Sequence, residues 1–265
     1  MGYNEEWHAQ VAPVVQHVER TKPGDVLGLY VFGSTVSSGL RPDSDIDLLM
    51  ITRRSLSCAE RRDVVSLLLA CSGWRGHAAR FPEAQDRRPI ELTSVVRAET
   101  VNWEEVPARD FQYGEWLRHH YVEGELPVAS TDPDVTVLTA TAQQANQVLL
   151  GPPLTSLLPT VPTQVLRRAV ADCVEEVVAG VEGDECNVLL TLARILVTLE
   201  TGKIVPKDEA VGQIGAMLSD ADRAVLERAR DRYLGIDGVR WTVGTEASTE
   251  LAHRLAKMAS RYVVE

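Results

Sequence analysis

The sequence predicts an α+β protein in two parts: an N-terminal part where helices alternate with strands, and a C-terminal part that is helical throughout. Three observations lead there. Short apolar runs of strand length recur in the first half, at Val26–Phe32, Asp45–Thr52 and residues 89–96, separated by stretches of helical spacing. "LLGPPLTSLLPTVPTQ" then breaks the pattern with one glycine and four prolines. Beyond it only the 3.6-residue period remains.

Taken in order, residues 4–20 read as a helix that stops at the turn "KPGD". The strand Val26–Phe32 follows, then the strand Asp45–Thr52. Residues 57–72 have helical spacing, with Val64, Val65, Leu67, Leu68 and Leu69 on the apolar side. "PIELTSVV" gives the third strand. "FQYGEWLRHHYVEG" reads as a helix ended by Gly124, and residues 134–150 as another. The proline-rich stretch 151–162 reads as a linker, so that residues 1–155 and 156–265 form two domains. The second is expected to hold helices at about 163–179, 185–200, 207–217, 219–234 and 246–263. Ligands commonly bind where domains meet, so the active site is expected in the cleft between the two.

The chain has 265 residues, 45% of them hydrophobic and 25% charged, enough to bury a sizeable core. Its formal net charge of -11 weighs against nucleic-acid binding, which needs a basic footprint. No apolar run approaches the length of a membrane span. The opening "MGYNEEWHAQ" is acidic and polar, unlike a signal peptide, and its sixth residue is Glu6, against myristoylation. Cys58, Cys71, Cys173 and Cys186 are scattered, with no zinc spacing among them and the six histidines; they read as reduced, buried small residues. A cytoplasmic monomer, bound to neither nucleic acid nor membrane, is the expected state.

The chemistry concentrates in "VFGSTVSSGLRPDSDIDLLM". Asp45 and Asp47 are two apart, so on a strand they share one face, while Ile46 and Leu48 point the other way. Carboxylates this close repel unless something positive lies between them. Mg²⁺ meets that need, since it prefers hard oxygen and is typically held by one or two carboxylates plus phosphate oxygens. Glu91 repeats the device in "PIELTSVV", opposite in facing to Ile90 and Leu92, and is expected to complete the metal site as its third carboxylate ligand. Gly33 lets the backbone approach a ligand closely, and Ser34 adds an N–H and a hydroxyl. A strand with a solvated polar face is the alternative for the aspartate pair alone.

The motif Gly-Ser, ten residues, Asp-x-Asp and a later acidic strand residue resembles the nucleotidyltransferase superfamily with the DNA polymerase β-like fold. Together with "RPIELTSVV", "FQYGEWLR", "NVLLTLARILVTLETGKIVPKDEA" and "RDRYLG", it resembles the aminoglycoside adenylyltransferases that modify streptomycin and spectinomycin. The resemblance runs from about residue 26 to 235. It implies a nucleotidyltransferase domain with a mixed sheet, followed by a helical domain. It implies that AMP passes from Mg-ATP to a drug hydroxyl, with pyrophosphate leaving. Asp45 and Asp47 then match the Mg²⁺ ligands, with Glu91 beside them as a third carboxylate and as catalytic base. Ser34, Ser44, Arg194, Lys207 and Tyr233 match the ATP contacts. Trp116 and Asp184 match the drug-binding pair.

Several of these positions have plainer readings. Arg194, in an almost wholly apolar helix, could pair with an internal aspartate; Lys207 could be a solvated lysine at a helix start and Tyr233 a core aromatic. Trp116 could be ordinary core packing, and Asp184 a helix N-cap. Members of the family that accept streptomycin carry a tryptophan and an aspartate just before the Asp184 position. Counted back without gaps, these fall on Glu175 and Gly180 here, so both are missing. That points to the members restricted to spectinomycin. The alternatives are a dual enzyme acting on the streptomycin 3''-OH and the spectinomycin 9-OH, or a silent nucleotide-binding module of the same fold.

Overall fold

The computed structural model describes residues 6–37, 39–42, 44–236, 241 and 243–262. The chain divides into two compact units, Met1–Thr160 and Val161–Glu265.

The first unit begins with helix α1 (Glu6–Thr21) and the strands β1 (Gly28–Phe32) and β2 (Ile46–Thr52). Helix α2 (Cys58–Cys71) then leads to β3 (Ile90–Val96). Ser57 caps α2 by accepting the Glu60 N–H, and the Glu60 carboxylate accepts the Ser57 N–H in return. A cap of this kind is worth about 1 kcal/mol. Next come β4 (Ala108–Arg109), β5 (Phe111–Tyr113), α3 (Arg118–Val122), β6 (Ser130–Thr131), α4 (Asp134–Gln144), β7 (Asn146–Leu150) and the one-turn helix α5 (Leu154–Leu157).

Five of the strands form one sheet in the order β5-β3-β2-β1-β7, and β4 pairs with β6 apart from it. The sheet is mixed. β2 and β3 run parallel, which requires the crossover that α2 supplies, and the other pairs are antiparallel. Alternation along the strands divides the core. Ile46, Leu48, Met50, Ile90 and Leu92 pack against α1 and α2 through Trp7, Val11, Val14, Val64 and Leu68. Tyr30, Phe32, Leu49, Ile51 and Val95 pack on the other face against Val135, Leu138, Ala142 and Leu154.

Three expected elements differ. "FQYGEWLRHHYVEG" is not one helix: Phe111 and Tyr113 alternate with Gln112 and pair with Ser94 and Leu92 of β3, so sheet hydrogen bonds outcompete local helix propensity there. Helix forms only after Gly114, first as a tight turn over Glu115–Leu117 and then as α3. Residues 134–150 likewise split, because β1 needs a partner on its outer side and β7 fills that place. The proline-rich stretch contains α5, with Leu154 and Leu158 buried in the first unit's core.

The second unit is built on α8 (Glu185–Thr201), preceded by α6 (Thr163–Asp172) and α7 (Val174–Ala179), which meet at Cys173. α9 (Lys207–Ile214), α10 (Asp220–Tyr233) and α11 (Thr245–Ala259) follow, and all three, with α6, pack on α8. Burial nearly all round α8, from Val188 and Leu189 to Leu199, explains its apolar sequence. Of the four cysteines, all free, only Cys173 is buried; Cys58 is exposed and the others are intermediate, against the expectation that all are buried. No helix among the described residues is long and apolar enough to cross a membrane.

Candidate active site

Asp47 is the second residue of β2 and lies opposite Glu91 of β3 on one side and Phe32 of β1 on the other. It alternates with Ile46 and Leu48, as Glu91 does with Ile90 and Leu92, so both carboxylates lie on the α4 face of the sheet, with Asp45 just ahead of β2. Burial first, then the charges of Asp47 and Asp45, and more weakly that of Asp134, raise the Glu91 pKa well above the ordinary glutamate range; Arg109 opposes them.

Gly33 holds the turn after β1 at φ +70°, and a Cβ there would lie 2.1 Å from Asp47 Oδ2. Only glycine lets this turn sit against the carboxylate. Ser34 is in the same turn, partly exposed. Ser44 is buried: its hydroxyl accepts the Arg41 N–H at 3.0 Å, closing the 41–44 turn ahead of Asp45. Arg88 Nη1 braces that turn through the carbonyls of Arg41, Pro42 and Ser44.

Two residues near Glu91 escaped the sequence reading. Arg109 is buried and donates through Nη2 to Asp132 (3.0 Å) and Asp134 (2.8 Å). Asp134 heads α4, and its place after a proline in "TDPD" was a signal for a helix start rather than for electrostatics at a site.

Trp116 sits in the Glu115–Leu117 turn and is 51% exposed, which excludes core packing. The turn is pinned from below. Glu115 is buried and accepts from Arg118 Nε (2.8 Å), the Ser72 hydroxyl (2.6 Å) and the Tyr113 hydroxyl (3.1 Å). Burial alone would raise the Glu115 pKa, but these donors, Arg118 foremost, hold it below its ordinary value. The Trp116 ring lies over Gly114, where a Cβ would meet it at 2.2 Å.

In the second unit, Arg194 is partly exposed amid the buried residues of α8, Lys207 opens α9 after Pro206, and Tyr233 ends α10. Asp184 precedes α8 without capping it; its carboxylate accepts instead from Asn187 Nδ2 at 2.8 Å. Asn187 Oδ1 in turn accepts from Lys207 Nζ, so one amide links two of the predicted positions. Asn187 carried no sequence signal, since one amide among the polar residues at a helix start is unremarkable. Glu175 and Gly180 lie on and just after α7, both exposed.

The donor set suits Mg²⁺. Three carboxylates crowd one end of two neighbouring strands, with Glu91 driven toward its neutral form by burial and then by the other two. Among the described residues no three His, Cys, Asp or Glu side chains cage an ion by themselves. That is compatible with an ion held partly by phosphate oxygens.

Residues 14–88 match the profile of the nucleotidyltransferase domain, and residues 156–258 that of the aminoglycoside adenylyltransferase C-terminal domain. A spectinomycin 9-adenylyltransferase of Campylobacter jejuni is 36% identical over 243 residues, 91% of this chain and 92% of the relative. This chain belongs to the aminoglycoside adenylyltransferases. An aminoglycoside (3'') (9) adenylyltransferase of Escherichia coli is 33% identical over 94% of this adenylyltransferase and 93% of its own length. The crystal structure of the spectinomycin adenyltransferase AAD(9) from Enterococcus faecalis with ATP and spectinomycin superposes with a TM-score of 0.86. It is 30% identical and covers 96% of this adenylyltransferase and 99% of that chain.

Within each unit, then, the adenylyltransferase gathers part of the predicted set. Gly33, Ser34, Asp45, Asp47 and Glu91 cluster around the start of β2 and β3. Asp184 and Lys207 are linked through Asn187.

Proposed function

We propose that this adenylyltransferase transfers AMP from Mg-ATP to a hydroxyl of spectinomycin, releases pyrophosphate and so confers resistance to the drug. The observation that carries the reading is the side-by-side placing of Asp47 and Glu91 on parallel strands next to the Gly33 turn. Asp45 and Asp47 are the residues that would hold Mg²⁺, with Glu91 adjoining. When bound, the ion supplies positive charge against the triphosphate oxygens.

Glu91 takes the proton of the drug hydroxyl as that oxygen attacks the α-phosphorus. The bond from the α-phosphorus to the oxygen bridging to the β-phosphate breaks, and pyrophosphate leaves with its electron pair. A raised pKa makes Glu91 a better proton acceptor once it is ionised. Ser34, Ser44, Arg194, Lys207 and Tyr233 contact ATP in this reading. The buried Ser44 hydroxyl serves by shaping the turn ahead of Asp45. Trp116 offers an exposed indole face to the drug and Asp184 a carboxylate for its ammonium. The enzyme acts as a monomer in the cytoplasm, where ATP is supplied.

Mass spectrometry of spectinomycin after incubation with enzyme, ATP and Mg²⁺ tests the reading. The expected result is a product heavier by one AMP, formed with one pyrophosphate per drug. Unmodified spectinomycin together with ATP turnover on another acceptor would overturn it.

A further inference from the structure

A cavity lies on the opposite face of the sheet from the carboxylates. Asp47 and Glu91 share the face of Leu49 and Val95, whereas α1 and α2 cover the other. Between α1, the segment after α2 and the approach to β3 is a cavity of about 630 Å³, lined by Trp7, Trp74, Arg75, Asp86, Arg87 and Arg88 among others. That is the size of a small-molecule site.

Its groups divide into those that build the wall and those left over. Arg88 is spent on the wall, through its bonds to the 41–44 turn and the Gln10 amide, which accepts its backbone N–H. Trp7 is left over: it is 3% exposed, and its indole N–H has no acceptor among the described residues. Such a buried donor ordinarily has a partner. The guanidinium groups of Arg75 and Arg87 likewise have no hydrogen-bond acceptor or ion-pair partner among the described residues. Trp74 presents an indole face at 45% exposure. Three guanidinium groups face one carboxylate, Asp86, in a chain of net charge -11, so the local charge is opposite in sign to the whole. That overall charge also disfavours a long polyanion and favours a small one.

We propose that this cavity binds a small phosphate-bearing ligand with a planar ring, of the mononucleotide class. Its phosphate would lie on Arg75 and Arg87, and the ring would lie against Trp74, with Trp7 in the wall beside them. Guanidinium forks match phosphate oxygens, and an indole face stacks on any base.

Tryptophan ¹⁵N-indole NMR with AMP, in Mg²⁺-free buffer, reads this site apart from the catalytic one. Signals are assigned with Trp7→Phe and Trp74→Phe. The Trp7 and Trp74 indole signals should shift saturably, in the wild type and equally in Asp47→Asn. The double variant Arg75→Ala/Arg87→Ala, which removes no side-chain hydrogen bond or ion pair among the described residues, should keep the wild-type Tm and bind about tenfold more weakly or worse. A Trp7 signal unmoved by millimolar AMP would overturn the proposal, as would equal shifts in the double variant. Adenosine binding as tightly as AMP would overturn it too, since the phosphate is the recognised group.

Discussion

On Glu91, burial and the charges of Asp47 and Asp45 all favour the protonated carboxyl. Its folded pKa is therefore raised, so the stability it contributes is full below the unfolded pKa and is lost as pH rises through the folded one. Without Mg²⁺, stability should fall over the window from the ordinary glutamate range up to that raised pKa. Glu91→Gln keeps the shape and removes the charge. It should raise Tm at neutral pH in EDTA, measured by calorimetry, while turnover drops by roughly two to four decades. Unchanged turnover would remove Glu91 from the role of base. Gly33 is constrained as tightly. Gly33→Ala puts a Cβ 2.1 Å from Asp47 Oδ2 at φ +70°. The left-handed backbone alone costs about 1–2 kcal/mol, and Asp47 must also shift. Loss of adenylylation with only a modest fall in Tm is the expected result; wild-type activity would show that Asp47 need not sit there.

At the scale of elements, the turn before α3 separates anchoring from display. Glu115 and Arg118 form a buried ion pair at 2.8 Å, whereas Trp116 between them is half exposed. Removing one partner of a buried pair leaves the other charge stranded, at a cost of about 3–5 kcal/mol. Glu115→Ala should therefore lower stability by that amount in denaturant titration. Trp116→Ala should lower it by less, about 1–2 kcal/mol, because only about half of the indole is buried. It should also weaken spectinomycin binding, read by calorimetry with Glu91→Gln and Mg-ATP to hold the complex before reaction. A large fall in stability for Trp116→Ala, with drug affinity intact, would reverse the two assignments.

For the whole molecule the open quantity is the range of drugs. Streptomycin carries two guanidinium groups, and the family resemblance implies an aromatic face and an extra carboxylate in the members that accept it. Here Glu175 offers charge without a stacking surface, and Gly180 offers no side chain, although a Cβ there would meet nothing closer than 3.7 Å. The missing charged hydrogen bond and cation–π contact are together worth on the order of 2–4 kcal/mol. That is roughly two to three decades in affinity. Cells expressing the chain should resist spectinomycin and remain sensitive to streptomycin. Comparable adenylylation of both drugs at matched concentration would show that the exposed Glu175, Glu176 or Glu182 replaces the missing groups.

The sequence by itself determined the carboxylate strands, the Gly33 turn and the helical second half. These rest on signals within a few residues: alternation places Asp47 and Glu91 on one face, and a sustained 3.6 period marks α8. It did not determine β5 or β7. Each is a short edge strand whose conformation is set by a partner far along the chain, Phe111–Tyr113 by β3 and Asn146–Leu150 by β1. Nor could spacing show that Trp116 faces water, since that follows from Glu115 being drawn inward by Ser72, Tyr113 and Arg118. The tertiary structure alone put Arg109 and Asp134 within electrostatic reach of Glu91. Charges separated by tens of residues leave no periodic trace in a sequence, and only the sheet brings them together.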